Sequence, residues 1–219
     1  MTHAGCLTDT HLFSSQEIAK AKILYAMEHE CIAAVLCGPP GTGKTFMLQS
    51  LIDDLKSIDQ VGCILSWLTL RETILSEQPD VLVIDSIDDA NESELGSVIH
   101  RCRKMNPHTR FILVGTGRLL TLISRDKSLE KQIGMRAVLT SCKLADTLRL
   151  VAGILQADAP NGCYKLKSVA DVIHEITAGI PGDIVKLTKL VAVVAMNHPD
   201  GVTGELIEQI HWKLDLRAA

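Results

Sequence analysis

The chain has 219 residues, with 22 Lys and Arg against 26 Asp and Glu, 47% apolar side chains and only 3% aromatic ones. That length suits one domain, or one with a small appendage, and the apolar fraction excludes a disordered chain. The longest apolar run, Leu190 to Met196, falls far short of the roughly 20 residues a membrane span needs, so no membrane association is expected.

The opening MTHAGCLTDTHLF has no Lys or Arg ahead of its apolar residues and does not read as a secretory signal, which predicts a cytoplasmic protein. Seven cysteines form no Cys-x-x-Cys pair and eight histidines lie far apart, so neither set has metal-ligand spacing. The net charge of −4 hides an asymmetry. Between Arg101 and Lys143, ten basic residues stand against Asp126 and Glu130 alone, a local +8. Such a field points to a polyanion, either nucleotide phosphates or a nucleic-acid backbone, and the alternative is a solvated charged face.

In chain order, Ser14 and Ser15 offer an N-cap with Glu17 following, and helical apolar spacing (Ile18, Ile23, Leu24, Met27) runs to Glu28. Cys31–Cys37 is a continuous apolar run ending at a glycine, as expected for a strand buried on both faces of a parallel sheet. GPPGTGKT and a helix to about Lys56 follow. Val61–Trp67 predicts a second strand, Thr69–Glu77 a short helix, Val81–Asp85 a third strand, Asn91–Met105 a helix, Arg110–Gly115 a fourth strand and Arg136–Cys142 a fifth. Strands alternating with helices imply an α/β fold, a parallel five-stranded sheet with helices on both faces. From Leu144 onward only helices are predicted, at Leu144–Gln156, Leu166–Ala178, Pro181–Met196 and Thr203–Leu214, separated by DAPNG, GIPG and NHPDG. This divides the chain into a core over 1–143 and a small helical lid over 144–219.

Gly38, Pro39, Pro40, Gly41, Thr42, Gly43, Lys44 and Thr45 match GxxxxGK[ST], with a buried strand before and a helix after. Glycines let successive backbone N–H groups turn toward phosphate oxygens, and the next helix presents its positive end to them. Lys44 is expected to reach the β and γ phosphates of ATP, and the Thr45 hydroxyl to ligate Mg²⁺. Asp85, closing VLVID, stands where a P-loop core places the carboxylate that holds the Mg²⁺ shell. The next residue is Ser86, which cannot act as a base near neutral pH, so slow hydrolysis is expected unless Asp88, Asp89 or Glu92 supplies the carboxylate.

Between Phe111 and Leu144 the chain carries LVGT, Arg118-Leu119, Arg125-Asp126 and a basic segment ending in Lys143-Leu144. Together with the P-loop, VLVID and GIPGDIVKLTKLVAVVA, this resembles the TnsC/TniB family of AAA+ transposition ATPases over most of the chain. The resemblance implies a AAA+ core and lid that oligomerise with ATP and Mg²⁺ as a ring or helical filament on duplex DNA. It further implies a role in marking a target for a transposase, in some systems through a TniQ-type adaptor and a CRISPR effector. By the same likeness Thr116 would sense the γ phosphate, although it could equally be a turn residue before Gly117. Arg136, with Arg125 second, would act on a neighbouring subunit's nucleotide from a position before the fifth strand, the alternative being that Arg136 merely caps that strand. Arg71 and the cluster Arg101, Arg103 and Lys104 are the candidate contacts to DNA phosphates, each also readable as exposed helix residues. The lid arginine that often follows Gly-x-Pro in such proteins is absent, because Gly182 stands there. Lys186, one turn on, either partly replaces it or is a solvated helix lysine.

Trp67 and Trp212 are isolated, which argues against base stacking on single strands. The rival readings are another AAA+ branch, resembling ExeA-type secretion ATPases or helicase loaders, and a small-molecule P-loop kinase. The kinase would want an arginine-rich lid, and only Arg149 and Arg217 follow Lys143.

Overall fold

Runs such as AAVLC and the VLVI that precedes Asp85 leave no polar side chain for water on either face, so their strands are stable only between two layers of helices. The computed structural model describes residues 12–29, 31–57, 60–72, 79–197 and 201–215. Most of the opening segment, with Cys6, the second half of the helix expected at Thr69–Glu77, and the linker at 198–200 lie outside these residues.

The elements follow one another as α1 (Ser14–Glu28), β1 (Ala33–Cys37), α2 (Lys44–Ser57), β2 (Gly62–Ser66), α3 (Trp67–Glu72), β3 (Val81–Asp85), α4 (Glu92–Met105), β4 (Arg110–Gly115), α5 (Gly117–Arg125), α6 (Lys127–Glu130) and β5 (Ile133–Val138). The lid is α7 (Leu144–Asp158), α8 (Leu166–Thr177), α9 (Pro181–Asn197) and α10 (Gly204–Asp215). The five strands form one parallel sheet in the order β2-β3-β4-β1-β5.

Alternate residues of each strand enter opposite layers. Ala34, Leu36, Val83 and Ile112 meet α1 and α2 through Ile23, Met27, Leu48 and Leu51. Val35, Leu82, Ile84, Phe111 and Leu113 meet Trp67 and Leu70 of α3, Leu95 and Ile99 of α4 and Leu122 and Ile123 of α5. The lid has its own apolar core, including Val151, Leu155, Ile173, Ile184, Leu187, Val191 and Ile207.

Four expectations at the element level are corrected. Trp67 opens α3 instead of closing β2, its ring fully buried against the sheet. The cap of α1 is Phe13, whose N–H is accepted by the Gln16 side chain at 3.1 Å, so Ser14 and Ser15 are already helical. Two short helices, α5 and α6, fill a stretch for which no element was expected. The fifth strand spans Ile133–Val138, not Arg136–Cys142. Its pairing with β1 skips Gly134, so a bulge there returns the strand to register, and a side chain at 134 would strike Cys31. That glycine masked the strand's start in the sequence.

Phe111 is fully buried at the centre of one layer. Replacing it with Ala is expected to cost about 3–5 kcal/mol of stability, read as a lowered urea midpoint with unchanged slope.

Candidate phosphate-binding site

All five strands point the same way, so the segments leaving β1, β3 and β4 emerge side by side at one edge. Leu36 pairs with Val114 and Cys37 with Gly115, while Ile84 pairs with Leu113. The P-loop, Asp85 and Thr116 therefore converge at that edge.

Gly41 and Gly43 have φ of 79° and 81°, a region that favours glycine. A side chain at 43 would collide with the amide of Gln16. Gln16 is buried, and its amide nitrogen donates to the Thr42 carbonyl at 3.1 Å, so α1 braces the loop from outside. Thr42 in turn donates its hydroxyl to the Pro39 carbonyl at 2.8 Å. Gln16 escaped sequence reading because its partner is 26 positions away, and its only local signal was the cap of α1.

Lys44, the first residue of α2, donates to the carbonyls of Gly38 at 2.7 Å and Pro39 at 3.0 Å. Its ammonium thus closes the loop on itself, over the place that phosphate oxygens would take. Burial pushes its pKa below the usual 10.5, partly offset by the carboxylates of Asp88 and then Asp85. Thr45 donates its hydroxyl to Asp85 Oδ2 at 2.9 Å. Two hard oxygen ligands held together, with room for waters, suit Mg²⁺, and Thr45 and Asp85 are the residues that would hold it. Bound there, the ion would neutralise charge on the β and γ phosphates.

Thr116 is not a plain turn residue. It caps α5, accepting from the Arg118 N–H at 3.4 Å, while its own N–H and hydroxyl both donate to Asp88 Oδ1 at 2.7 Å. Arg136 lies inside β5, opposite Val35, and not before the strand as expected. It reaches Glu130 at 3.3 Å, both side chains being about half exposed, and such pairs contribute little to stability. Arg125, at the end of α5, is the candidate that does precede the strand.

The lid meets the P-loop through backbone. The Gly182 N–H donates to the Gly41 carbonyl at 2.9 Å, and a Cβ on Gly182 would lie 3.2 Å from Gly41 Cα and O. A side chain at this position would crowd the Gly41 backbone, so an arginine there would require the loop or the helix to shift by a few tenths of an ångström. Lys186 instead pairs with Asp183 at 3.5 Å on the exposed side of α9, as a solvated helix lysine.

The candidate DNA residues are split. Arg71 lies on α3 just beyond the C-terminal end of β2, on the phosphate side, and its side chain is outside the described residues. Arg101, Arg103 and Lys104 close α4, which runs back to the N-terminal end of β4, at the opposite edge of the sheet. A five-residue strand separates those edges by about 16 Å. Arg101 and Lys104 are exposed, whereas Arg103 is half-buried, its Nε without a hydrogen-bond partner among the described residues.

The strand order, the P-loop and the helical lid together make this the AAA+ P-loop ATPase fold. No protein-family model and no curated protein matches the sequence. Solved structures do match in shape. A Thermotoga maritima RuvB point variant aligns with a TM-score of 0.62 at 20% identity, over 93% of this chain and 71% of that one. Domain III of the Thermotoga maritima replication initiation protein DnaA aligns with a TM-score of 0.60 at 15% identity, over 90% of each chain. The Aeropyrum pernix ORC2 protein, solved as ADPNP and ADP complexes, aligns with a TM-score of 0.60 at 12% identity, over 92% of this chain and 69% of that one. At these identities the likeness is one of fold. Among the described residues no helix is long and apolar enough to cross a membrane.

Phosphates beside Lys44 favour its charged form, so binding takes up a proton once the free site has lost one. ATP affinity is therefore expected to fall as pH rises through the lowered Lys44 value, at a pH below 10.5, in a fluorescent-nucleotide titration. Gly182→Ala presses a methyl group on backbone that cannot rotate away, and is expected to cost about 1–3 kcal/mol in chemical denaturation.

Proposed function

We propose that this chain is a Mg²⁺-dependent AAA+ ATPase that oligomerises on duplex DNA and regulates transposition, choosing the target site and recruiting a transposase directly or through a TniQ-type adaptor. The observation that carries the nucleotide part is the meeting of Lys44, Thr45, Asp85 and Thr116 at one sheet edge under a docked lid. The transposition part rests on the motifs between Phe111 and Leu144 and their resemblance to the TnsC/TniB family. The solved structures of like fold include proteins whose own names place them in DNA replication initiation, which supports a DNA-associated role.

In this reading Lys44 leaves the loop carbonyls for the β and γ phosphates, and Thr45 and Asp85 hold the metal. Arg125 or Arg136 acts on the nucleotide of an adjacent subunit. Arg101 and Lys104 are the stronger candidates for phosphate contact on DNA, being exposed at a helix end in the positive stretch of the chain. Ser86 supplies no base at the usual position, so hydrolysis is slower than with a glutamate there and the nucleotide state serves as a switch. The competing AAA+ roles, secretion or helicase loading, share the ATP site and differ in what the oligomer encloses.

Electron microscopy of the protein with duplex DNA is expected to reveal rings or filaments with ATP or a non-hydrolysable analogue, and none with ADP. Absence of DNA association in every state at low salt would remove the transposition reading and leave an ATPase of another branch. For Arg101→Gln combined with Lys104→Gln, loss of two phosphate contacts should flatten the slope of log affinity against log salt by about 1.8.

A further inference from the structure

Hydrolysis at a P-loop is speeded by a residue that positions or deprotonates the attacking water, in many such ATPases a carboxylate, and Ser86 offers only a hydroxyl. The backbone at Ser86 shows where a carboxylate comes from instead. Ser86 has a left-handed φ of 60°, and its N–H is accepted by Asp85 Oδ1 at 2.7 Å. The reversal starts a 3-10 turn, Ile87–Asp89, that buries Ile87 in the core. Asp88 is carried across the strand ends to β4, where its Oδ1 accepts both the N–H and the hydroxyl of Thr116 at 2.7 Å. That oxygen lies 3.1 Å from where a Cβ on Gly115 would stand, and Gly115 pairs with Cys37, the residue before the P-loop. Asp88 Oδ2 has no hydrogen-bond partner among the described residues. The carboxylates of Asp88 and Asp85 both act on the Lys44 ammonium, partly offsetting the burial that lowers its pKa. Asp89 is exposed, and the Glu92 side chain is outside the described residues.

We propose that Asp88 replaces the missing glutamate, one carboxylate oxygen fixed by Thr116 and the other accepting a proton from the attacking water. The proposal rests on the ATPase reading above. The water oxygen bonds to the γ phosphorus, and the bond from that phosphorus to the β–γ bridging oxygen breaks, its electron pair leaving with ADP. The water proton passes to Asp88 and then to solvent, and inorganic phosphate is released.

The test measures fluorescent-ATP binding, steady-state ATPase rate and melting temperature for the wild type, Lys44→Ala, Asp88→Asn and Asp88→Asn/Ser86→Glu. Asparagine keeps a carbonyl oxygen for Thr116 but cannot take the proton. The expected result is that Asp88→Asn binds ATP within threefold of wild type, melts alike and hydrolyses at least tenfold more slowly. Adding Ser86→Glu is expected to restore most of the rate, which a purely structural role for Asp88 would not permit. A rate for Asp88→Asn within twofold of wild type, or a loss that Ser86→Glu leaves in place, overturns the proposal while the ATP-binding reading stands. Failure of the wild type to bind ATP, or a rate no higher than that of Lys44→Ala, overturns both.

Discussion

The in-register parallel pairing of β3, β4 and β1 is the constraint on which the site depends. It makes Cys37 and Gly115 finish level with each other and Asp85 one residue short of them, so three loops far apart in sequence must share one small volume. Polar groups at that edge are then hydrogen-bonded across loops: Thr45 to Asp85, Thr116 to Asp88, Gln16 to Thr42. A strand slipped by one residue would turn its side chains to the wrong layer and separate these partners together. The apolar layers on either side of the sheet hold that register, and through it they hold the chemistry.

What the sequence disclosed about the site follows from how local each cause is. The P-loop is legible because its glycines, lysine and threonine act within eight consecutive residues, and Asp85 because a buried strand must end where polarity returns. The bonds of Thr116 to Asp88 and of Gln16 to Thr42 span 28 and 26 positions and exist only once the sheet and α1 are placed. The fifth strand was misplaced toward the apolar Ala137–Leu139 because the bulge at Gly134 breaks its alternation. Leu139 still donates to the Cys37 carbonyl at 2.7 Å, one step beyond the strand proper.

The charge asymmetry resolves differently from its appearance in the linear sequence. The positive stretch from Arg101 to Lys143 runs through α4, β4, α5, α6 and β5, and so crosses the sheet from one edge to the other. Its cations do not make one patch. Arg136 is set against Glu130, Arg103 is half-buried, and Arg101 and Lys104 stand exposed at the edge away from the phosphates. A surface that grips a polyanion there would be separate from the one that reads the nucleotide, and the two could communicate only through α4 and the strands between them.

At the phosphate edge the lid is held by backbone contact. A guanidinium on α9 would reach phosphate across water and could hold the lid at varied distances, whereas a glycine brings backbone to backbone and fixes one. With Gly182 donating to Gly41 and Gly179 accepting from the Cys142 N–H at 2.8 Å, the Gly-Ile-Pro-Gly turn is tied at both ends, to the P-loop and to the segment that leaves β5. The contact between α9 and the P-loop is thus backbone against backbone, at the position where the family resemblance would place an arginine.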